Sequence, residues 1–271
     1  MLKIKNSIVG LLIALLVSSC GEYSKVLNKG TSAEQYTLAS KLYKDGKYNK
    51  ALPLFEKVIP AYRGKPQMER IQFMVADANY QTKNWLLSAY HFDKFTKNYP
   101  RSTKREEALF QSAHSYYKAI PRSSLDQSDT NKAIEAFQRF IDTYPSSDRI
   151  AQANKYVKEM QLRLEKKAYD IAYQYYHTEN YKAAIVAFDN FLSDNLGTSF
   201  KEDALFYKSK AAHDLALNSV LSKKEARIQA AIKAIDRFER NFKNSNYTKE
   251  AERLRKDLNN ELQLMASTKS E

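Results

Sequence analysis

Apolar and polar positions along the chain recur with the period of a helix. A small residue is followed four positions later by a phenylalanine at Ala51 and Phe55, Ser88 and Phe92, Ala133 and Phe137, Ala184 and Phe188, and Ala234 and Phe238. That spacing places both members on one helical face. Val58, Phe95, Phe140 and Phe191 follow three residues further on and extend the stripe. An aromatic series precedes it, at Tyr36, Phe73, Phe110, Tyr169 and Phe206. Tyr43, Tyr80, Tyr117 and Tyr176 stand seven residues after the first four, two turns along the same face. The pattern predicts five helix pairs, with the aromatic column on the first helix of each and the small residue and phenylalanine on the second. Gly46-Lys47-Tyr48, Lys83-Asn84-Trp85 and Glu179-Asn180-Tyr181 are the expected turns within pairs, their aromatics packing back into the pair. Asn98-Tyr99-Pro100 and Thr143-Tyr144-Pro145 stop two of the second helices, because proline cannot continue them.

Gly46, Tyr48, Ala51 and Phe55 stand at the spacing of the tetratricopeptide repeat, and Ala172, Tyr181, Ala184 and Phe188 repeat it. The fold class expected is therefore all-α, an α-solenoid of about five tetratricopeptide-like helix pairs with a C-terminal capping helix over roughly Thr248 to Met265. The phenylalanine spacings of 37, 45, 51 and 50 residues imply insertions. One is the polar loop Ile120 to Thr130, one lengthens the fourth pair's first helix back to about Asp148, and one separates the fifth pair at Asn218 to Lys223. The expected organisation is a leader over 1–19, a tether over 20–32, repeats one to three over 33–147, repeats four and five with the cap over 148–265, and a polar tail over 266–271.

The first twenty residues carry a different signal. Lys3 and Lys5 precede an apolar run from Ile8 to Val17, too short to span a bilayer and suited to a secretory leader. Val17-Ser18-Ser19-Cys20 resembles a lipobox, in which the thiol of Cys20 is lipidated and becomes the mature N-terminus. Two or more acyl chains there would anchor the protein, since each buried methylene contributes about 0.8 kcal/mol. Cys20 is the only cysteine, so no internal disulfide can form and apolar packing must hold the fold.

Composition sharpens this picture. Only six glycines and six prolines interrupt a chain with 19 tyrosines and 13 phenylalanines, too few turn residues for a β-rich fold. The formal net charge of +13 favours an acidic partner or anionic lipid, and export argues against nucleic acid. Most of the charge is scattered among Glu and Asp as helix-solvating residues. No convergent acid, base, nucleophile or metal-ligand cluster is visible, so neither catalytic nor metal-binding residues nor a cofactor is expected. His91, His114, His177 and His213 occur singly, and Glu106-Glu107 and Glu202-Asp203 open helices, where carboxylates suit the positive dipole end.

The lipobox, the tether, the repeats, the segment Leu42-Tyr43-Lys44-Asp45-Gly46-Lys47-Tyr48, the Tyr-Pro helix ends and the third-unit loop together resemble the BamD family of outer-membrane assembly lipoproteins. The resemblance implies a non-enzymatic scaffold on the periplasmic face of the outer membrane. Its N-terminal repeats would read unfolded outer-membrane proteins, its C-terminal repeats would dock on the POTRA domains of a barrel-shaped assembly subunit, and accessory lipoproteins are possible further partners, although the third-unit loop Ile120 to Thr130 is shorter than in the better-known members and would lack the contacts they make there. Ala61-Tyr62-Arg63-Gly64 stands where the family has a substrate-linked loop, with Arg63 in place of the family's proline. Gly21 is compatible with outer-membrane sorting. Tyr43, Tyr62, Arg63, Tyr80, Tyr117 and Tyr176 are the expected peptide- or partner-binding residues. About half of the aromatic column is expected to be core, and Tyr43, Tyr80, Tyr117 and Tyr176 are expected to be its exposed half. The alternatives are a tetratricopeptide lipoprotein for glycan capture, disfavoured because Trp85 is the only tryptophan, or another envelope interaction role.

Overall fold

A computed structural model describes residues 21–269, and the expected leader and lipid-attachment residue Cys20 lie outside them. The chain is all-α. Helix α1, described over 21–29, precedes five pairs: α2 (Ser32–Lys44) with α3 (Tyr48–Tyr62), α4 (Gln67–Gln81) with α5 (Trp85–Asn98), α6 (Arg105–Ala119) with α7 (Ser128–Thr143), α8 (Ile150–His177) with α9 (Tyr181–Asp194), and α10 (Lys201–Leu217) with α11 (Leu221–Asn241). Helix α12 (Thr248–Lys269) follows and runs into the segment read as a polar tail. No described helix is long and apolar enough to cross a membrane.

The chain divides into two compact units, one ending at Lys158 and the other beginning at Glu159. The division falls inside α8, some ten residues after the boundary expected at 147/148. Each unit is a stretch of α-solenoid with its own core. In the first, Phe55, Leu54 and Ile71 gather in one cluster and Phe92, Phe95 and Ala76 in the next. In the second, Phe188, Phe206 and Phe238 anchor a single cluster.

The small residues let the helices of a pair cross closely. Ala51, Ser88, Ala133 and Ala184 have no exposure, nor do the phenylalanines four residues on. The fifth pair departs from this register. Ala234 is only half-buried, while Ile228, Ala231, Ile235 and Phe238 are fully buried. Helix α11 begins early, so its stripe at spacings of three, four and three residues takes the inward face and turns Ala234 aside. In the second pair the small residue carries a hydroxyl: Ser88 Oγ lies 3.0 Å from Ser115 Oγ and 3.1 Å from the Ala76 carbonyl oxygen, all buried.

Turns within pairs share one geometry. Gly46, Lys83 and Glu179 take φ of +71°, +62° and +59°. The following amides donate to carbonyls five residues back, Lys47 to Leu42, Asn84 to Asn79 and Asn180 to Tyr175, at 2.8 to 2.9 Å. This is the Schellman closure of a helix C-terminus, in which the left-handed residue is usually glycine. Links between pairs share another. After Tyr99, Tyr144, Asn195 and Phe242 come Ser102, Ser147, Thr198 and Ser245, each three residues on, and each hydroxyl accepts from the amide two residues later. Three of these links are tied to an acid in the first turn of the preceding first helix: Ser102 donates to Glu69, Ser147 to Glu106, and Tyr247 to Asp203. Of the paired acids that open α6 and α10, Glu106 and Asp203 thus serve structure.

The segment read as a tether is helical over 21–29. Tyr23, Val26 and Leu27, at i, i+3 and i+4, pack on the first core cluster. The Gln35 amide donates to the carbonyls of Val26 and Leu27, and the Tyr23 hydroxyl donates to the Lys50 carbonyl at 3.0 Å. Gly30 ends α1 where a Cβ would stand 2.5 Å from the Val26 carbonyl oxygen, and Thr31 with Glu34 forms a capping box that starts α2. In the third pair the loop closes at Gln127, whose buried side chain donates to the carbonyls of Arg122 and Leu125 and accepts from Thr130.

Candidate functional site

The aromatic column joins successive repeats instead of standing free of them. The Tyr43 hydroxyl on α2 donates to the Asp77 carboxylate on α4. The Tyr80 hydroxyl on α4 lies 2.8 Å from Nδ1 of His114 on α6, and the Tyr176 hydroxyl on α8 donates to Asp214 on α10 at 3.2 Å. Tyr117 stacks with His114 and packs at a tilt against Tyr156, ring centroids 5.9 and 4.5 Å away. All four tyrosines are half-buried, which corrects the expectation that they form an exposed row. A tyrosine can lay its ring on the core of its own pair and reach the neighbouring first helix with its hydroxyl. Burial and the Asp77 carboxylate hold the Tyr43 hydroxyl well above the usual phenol range, and burial with Asp214 does the same at Tyr176. Both remain donors. Burial, reinforced by the charge of Lys118, pushes the His114 imidazole down to about 4, so it is neutral near pH 7.

One concave surface in the first unit remains open. A cavity of about 590 Å³ is lined by Tyr43, Lys44, Arg70, Phe73, Met74 and Lys104, among others. It adjoins a second of about 400 Å³ that shares Lys44 and Arg70 and adds Tyr36 and Lys41. Helices α2 and α4 supply most of both walls because their first-helix faces turn inward together. Lys41, Lys44 and Arg70 form no ion pair among the described residues. Lys104 pairs with Glu107 at 2.8 Å and lies 5.4 Å over the Phe73 ring. Glu69 and Asp45 also line the two cavities, but Lys41, Lys44, Arg70 and Lys104 outnumber them, so the result is an aromatic floor with a net cationic rim, suited to an extended peptide with apolar and acidic or carbonyl groups.

The expected site residues divide around this groove. Tyr43 lines it. Tyr62 reaches it through Tyr36, the two ring centroids 5.2 Å apart, and carries Lys65 5.2 Å from its ring centre. Arg63 is exposed at the end of α3. Tyr80 and Tyr117 belong instead to the cluster around His114, and Tyr176 to the second unit. Trp85 packs edge-on against Tyr80 at 5.1 Å and is half-buried, unlike the flat exposed platform a glycan site needs. Sequence reasoning did not single out Lys44, Arg70 and Lys104. Each sits in a run of mixed charge that reads as a solvated face, and only the adjacency of Lys44 to Tyr43 marked it.

The YfiO family, described as outer membrane lipoprotein, matches the chain over residues 28–226 and 162–266. A putative outer membrane protein assembly factor BamD of Aquifex aeolicus (strain VF5) is 24% identical over 207 residues, covering 73% of this chain and 65% of that protein. An outer membrane protein assembly factor BamD of Caulobacter vibrioides is 23% identical over 216 residues, 78% of this chain and 71% of its own length. That of Pasteurella multocida (strain Pm70) is 22% identical over 240 residues, 85% of this chain and 92% of its own length. The chain spans about two thirds of the length of the first two relatives.

Proposed function

The chain belongs to the YfiO family of outer membrane lipoproteins, and on that premise we propose that it is an outer-membrane protein assembly factor, lipid-anchored at Cys20 on the periplasmic side. Its first unit binds unfolded outer-membrane proteins, and its second unit, from Glu159 to the end of α12, docks on the POTRA domains of a barrel-shaped assembly subunit.

The groove between α2 and α4 carries the reading of substrate binding. A strand of an unfolded barrel alternates apolar and polar side chains. Its apolar and aromatic members suit the floor of Tyr36, Tyr43 and Phe73, and its carbonyls and acids suit Lys44, Arg70 and Lys104. No covalent chemistry is asked of the site, only reversible capture in an orientation the assembly subunit can use.

The test is paired. Lys44→Glu with Arg70→Glu reverses the rim without touching a buried residue. Photocrosslinking to a barrel-strand peptide should fall at least fivefold, while the helical melting transition and co-purification of the assembly subunit stay as in the parent. A folded variant with undiminished crosslinking would place substrate elsewhere. Separately, Cys20→Ser should abolish palmitate incorporation and flotation with outer membranes.

A further inference from the structure

We infer that the edge of the first unit formed by the α2–α3 and α4–α5 turns lies against an anionic phospholipid surface. The inference rests on the proposed lipidation of Cys20. The first observation is the lack of slack between anchor and fold. Helix α1 is packed on the first core cluster through Tyr23, Val26 and Leu27. Its Tyr23 hydroxyl is fixed to the Lys50 carbonyl at the start of α3, and the Lys50 ammonium lies 5.7 Å from the centre of the Tyr23 ring. Cys20 is three residues before Tyr23, and three residues reach at most about 10 Å even when fully extended. Acyl chains on Cys20 would therefore hold Tyr23 within that distance of the bilayer, and the α2–α3 turn only a tyrosine side chain and one hydrogen bond further.

The second observation is what stands on that edge. Tyr43 near the end of α2 bonds Asp77 near the end of α4, so these helix ends lie side by side and their turns share one edge. Those turns present Lys47, Lys50 and Lys83, all exposed, and within the two turns the only acid is Asp45, 3.8 Å from Lys47. Immediately after Lys83, Leu86 and Leu87 are 53% and 46% exposed, and Tyr90 one turn on is 53% exposed with Lys94 5.7 Å from its ring centre. Leucine and tyrosine flanked by lysine is the chemistry of an interfacial surface: apolar groups enter the headgroup boundary while ammonium groups meet phosphates. Each lysine near an anionic leaflet adds attraction that fades within a Debye length, so the contact holds only if the anchor keeps the edge close. The rigid α1 does that.

The full chain, lipidated and reconstituted into vesicles of phosphatidylethanolamine and phosphatidylglycerol, tests this directly. Because acylated Cys20 has no free thiol, Leu87→Cys can carry the only environment-sensitive fluorophore, with Arg101→Cys, in the link after α5, as the reference. The fluorophore at 87 should shift to the blue and be quenched by headgroup-labelled lipid at least threefold more than that at 101. Lys47→Glu with Lys50→Glu and Lys83→Glu should reduce this difference by half or more while flotation persists. Equal quenching at both positions, in protein that floats, overturns the inference alone. A blue shift at 87 without lipid quenching also overturns it, since a protein partner or second copy would then cover the edge. A chain that incorporates no palmitate, or whose parent takes up the fluorophore at Cys20, overturns the lipidation on which the inference rests.

Discussion

The Tyr43 hydroxyl on α2 and the Asp77 carboxylate on α4 are hydrogen-bonded across the boundary between the first two helix pairs, 34 residues apart in sequence. Tyr80 and His114 repeat the relationship at the same separation, and Tyr176 and Asp214 at 38. In a repeat array each pair contacts only its neighbours, so bonds of this kind set how far one pair can open without the next.

Replacing this hydroxyl should therefore weaken an interface and leave both helices intact. Tyr43→Phe keeps the ring on Phe55 and removes the bond to Asp77. A half-buried bond to a charged group contributes roughly 1 to 2 kcal/mol. Denaturant titration should show that loss with an unchanged helical signal. Asp77→Asn should cost less, since its amide oxygen can still accept. Equal stability of Tyr43→Phe and the parent would show that the hydroxyl is satisfied by water instead.

His114 should make the first unit sensitive to acid. Its folded-state value near 4 lies below the ordinary imidazole value of about 6.5. Between these values the unfolded chain binds more protons, so stability rises with pH across that window and is lost as pH falls toward 4. His91, lowered by burial and then by Lys94, contributes in the same direction. Melting temperature plotted against pH should slope upward from 4 to 6.5 in the parent and less steeply in His114→Phe. A parallel slope in the variant would assign the effect to other groups.

Two turns carry a side chain where the first turn carries glycine. Lys83 and Glu179 stand at φ of +62° and +59°, the region Gly46 occupies at +71°. Left-handed backbone costs an ordinary residue roughly 1 to 2 kcal/mol, while glycine adds entropy to the unfolded chain. Lys83→Gly and Glu179→Gly should each stabilise the protein by about 0.5 to 1 kcal/mol, and Gly46→Ala should destabilise it by a similar amount. Thermal denaturation of the three variants settles the signs.

The register of the fifth pair can be read by overpacking. Ala231→Leu inserts bulk where no exposure remains and should cost roughly 1 to 3 kcal/mol, whereas Ala234→Leu, at a half-buried site, should cost under about 1. Reversed costs would restore the register in which Ala234 crosses the partner helix. Hydrogen exchange should show the larger loss of protection within the second unit, where both residues pack.

Much of this architecture is legible in the sequence because close helix crossings leave a periodic trace. Ala51 with Phe55 and Ala184 with Phe188 could only be core, and the Tyr-Pro pairs at 99–100 and 144–145 could only end helices. Helix α1 was missed because three apolar residues in nine make a weak stripe, although Gly30 followed by Thr31 and Glu34 carried the punctuation between two helices. The aromatic column was read one step too far outward. Its periodicity fixes which face Tyr43 and Tyr80 occupy, but their partners Asp77 and His114 lie one repeat away, and a single sequence does not display contacts across repeats. The cationic rim was hidden for the opposite reason: Lys44 on α2, Arg70 on α4 and Lys104 in the link before α6 come from three separate segments and meet only after folding.

The contact between Ser88 and Ser115 has a consequence for how this array could have grown. The equivalent positions between the first and second pairs are Ala51 and Ala78, both without exposure. One boundary thus sets methyl groups at the crossing and the next sets hydroxyls, so the two junctions are chemically distinct. Duplicating the second pair would set Ser88 opposite Ala78, and excising it would set Ala51 opposite Ser115, each forfeiting about 1 kcal/mol at the new seam. The pairs look alike in outline yet are not interchangeable modules, and their order along the chain is itself written into the core.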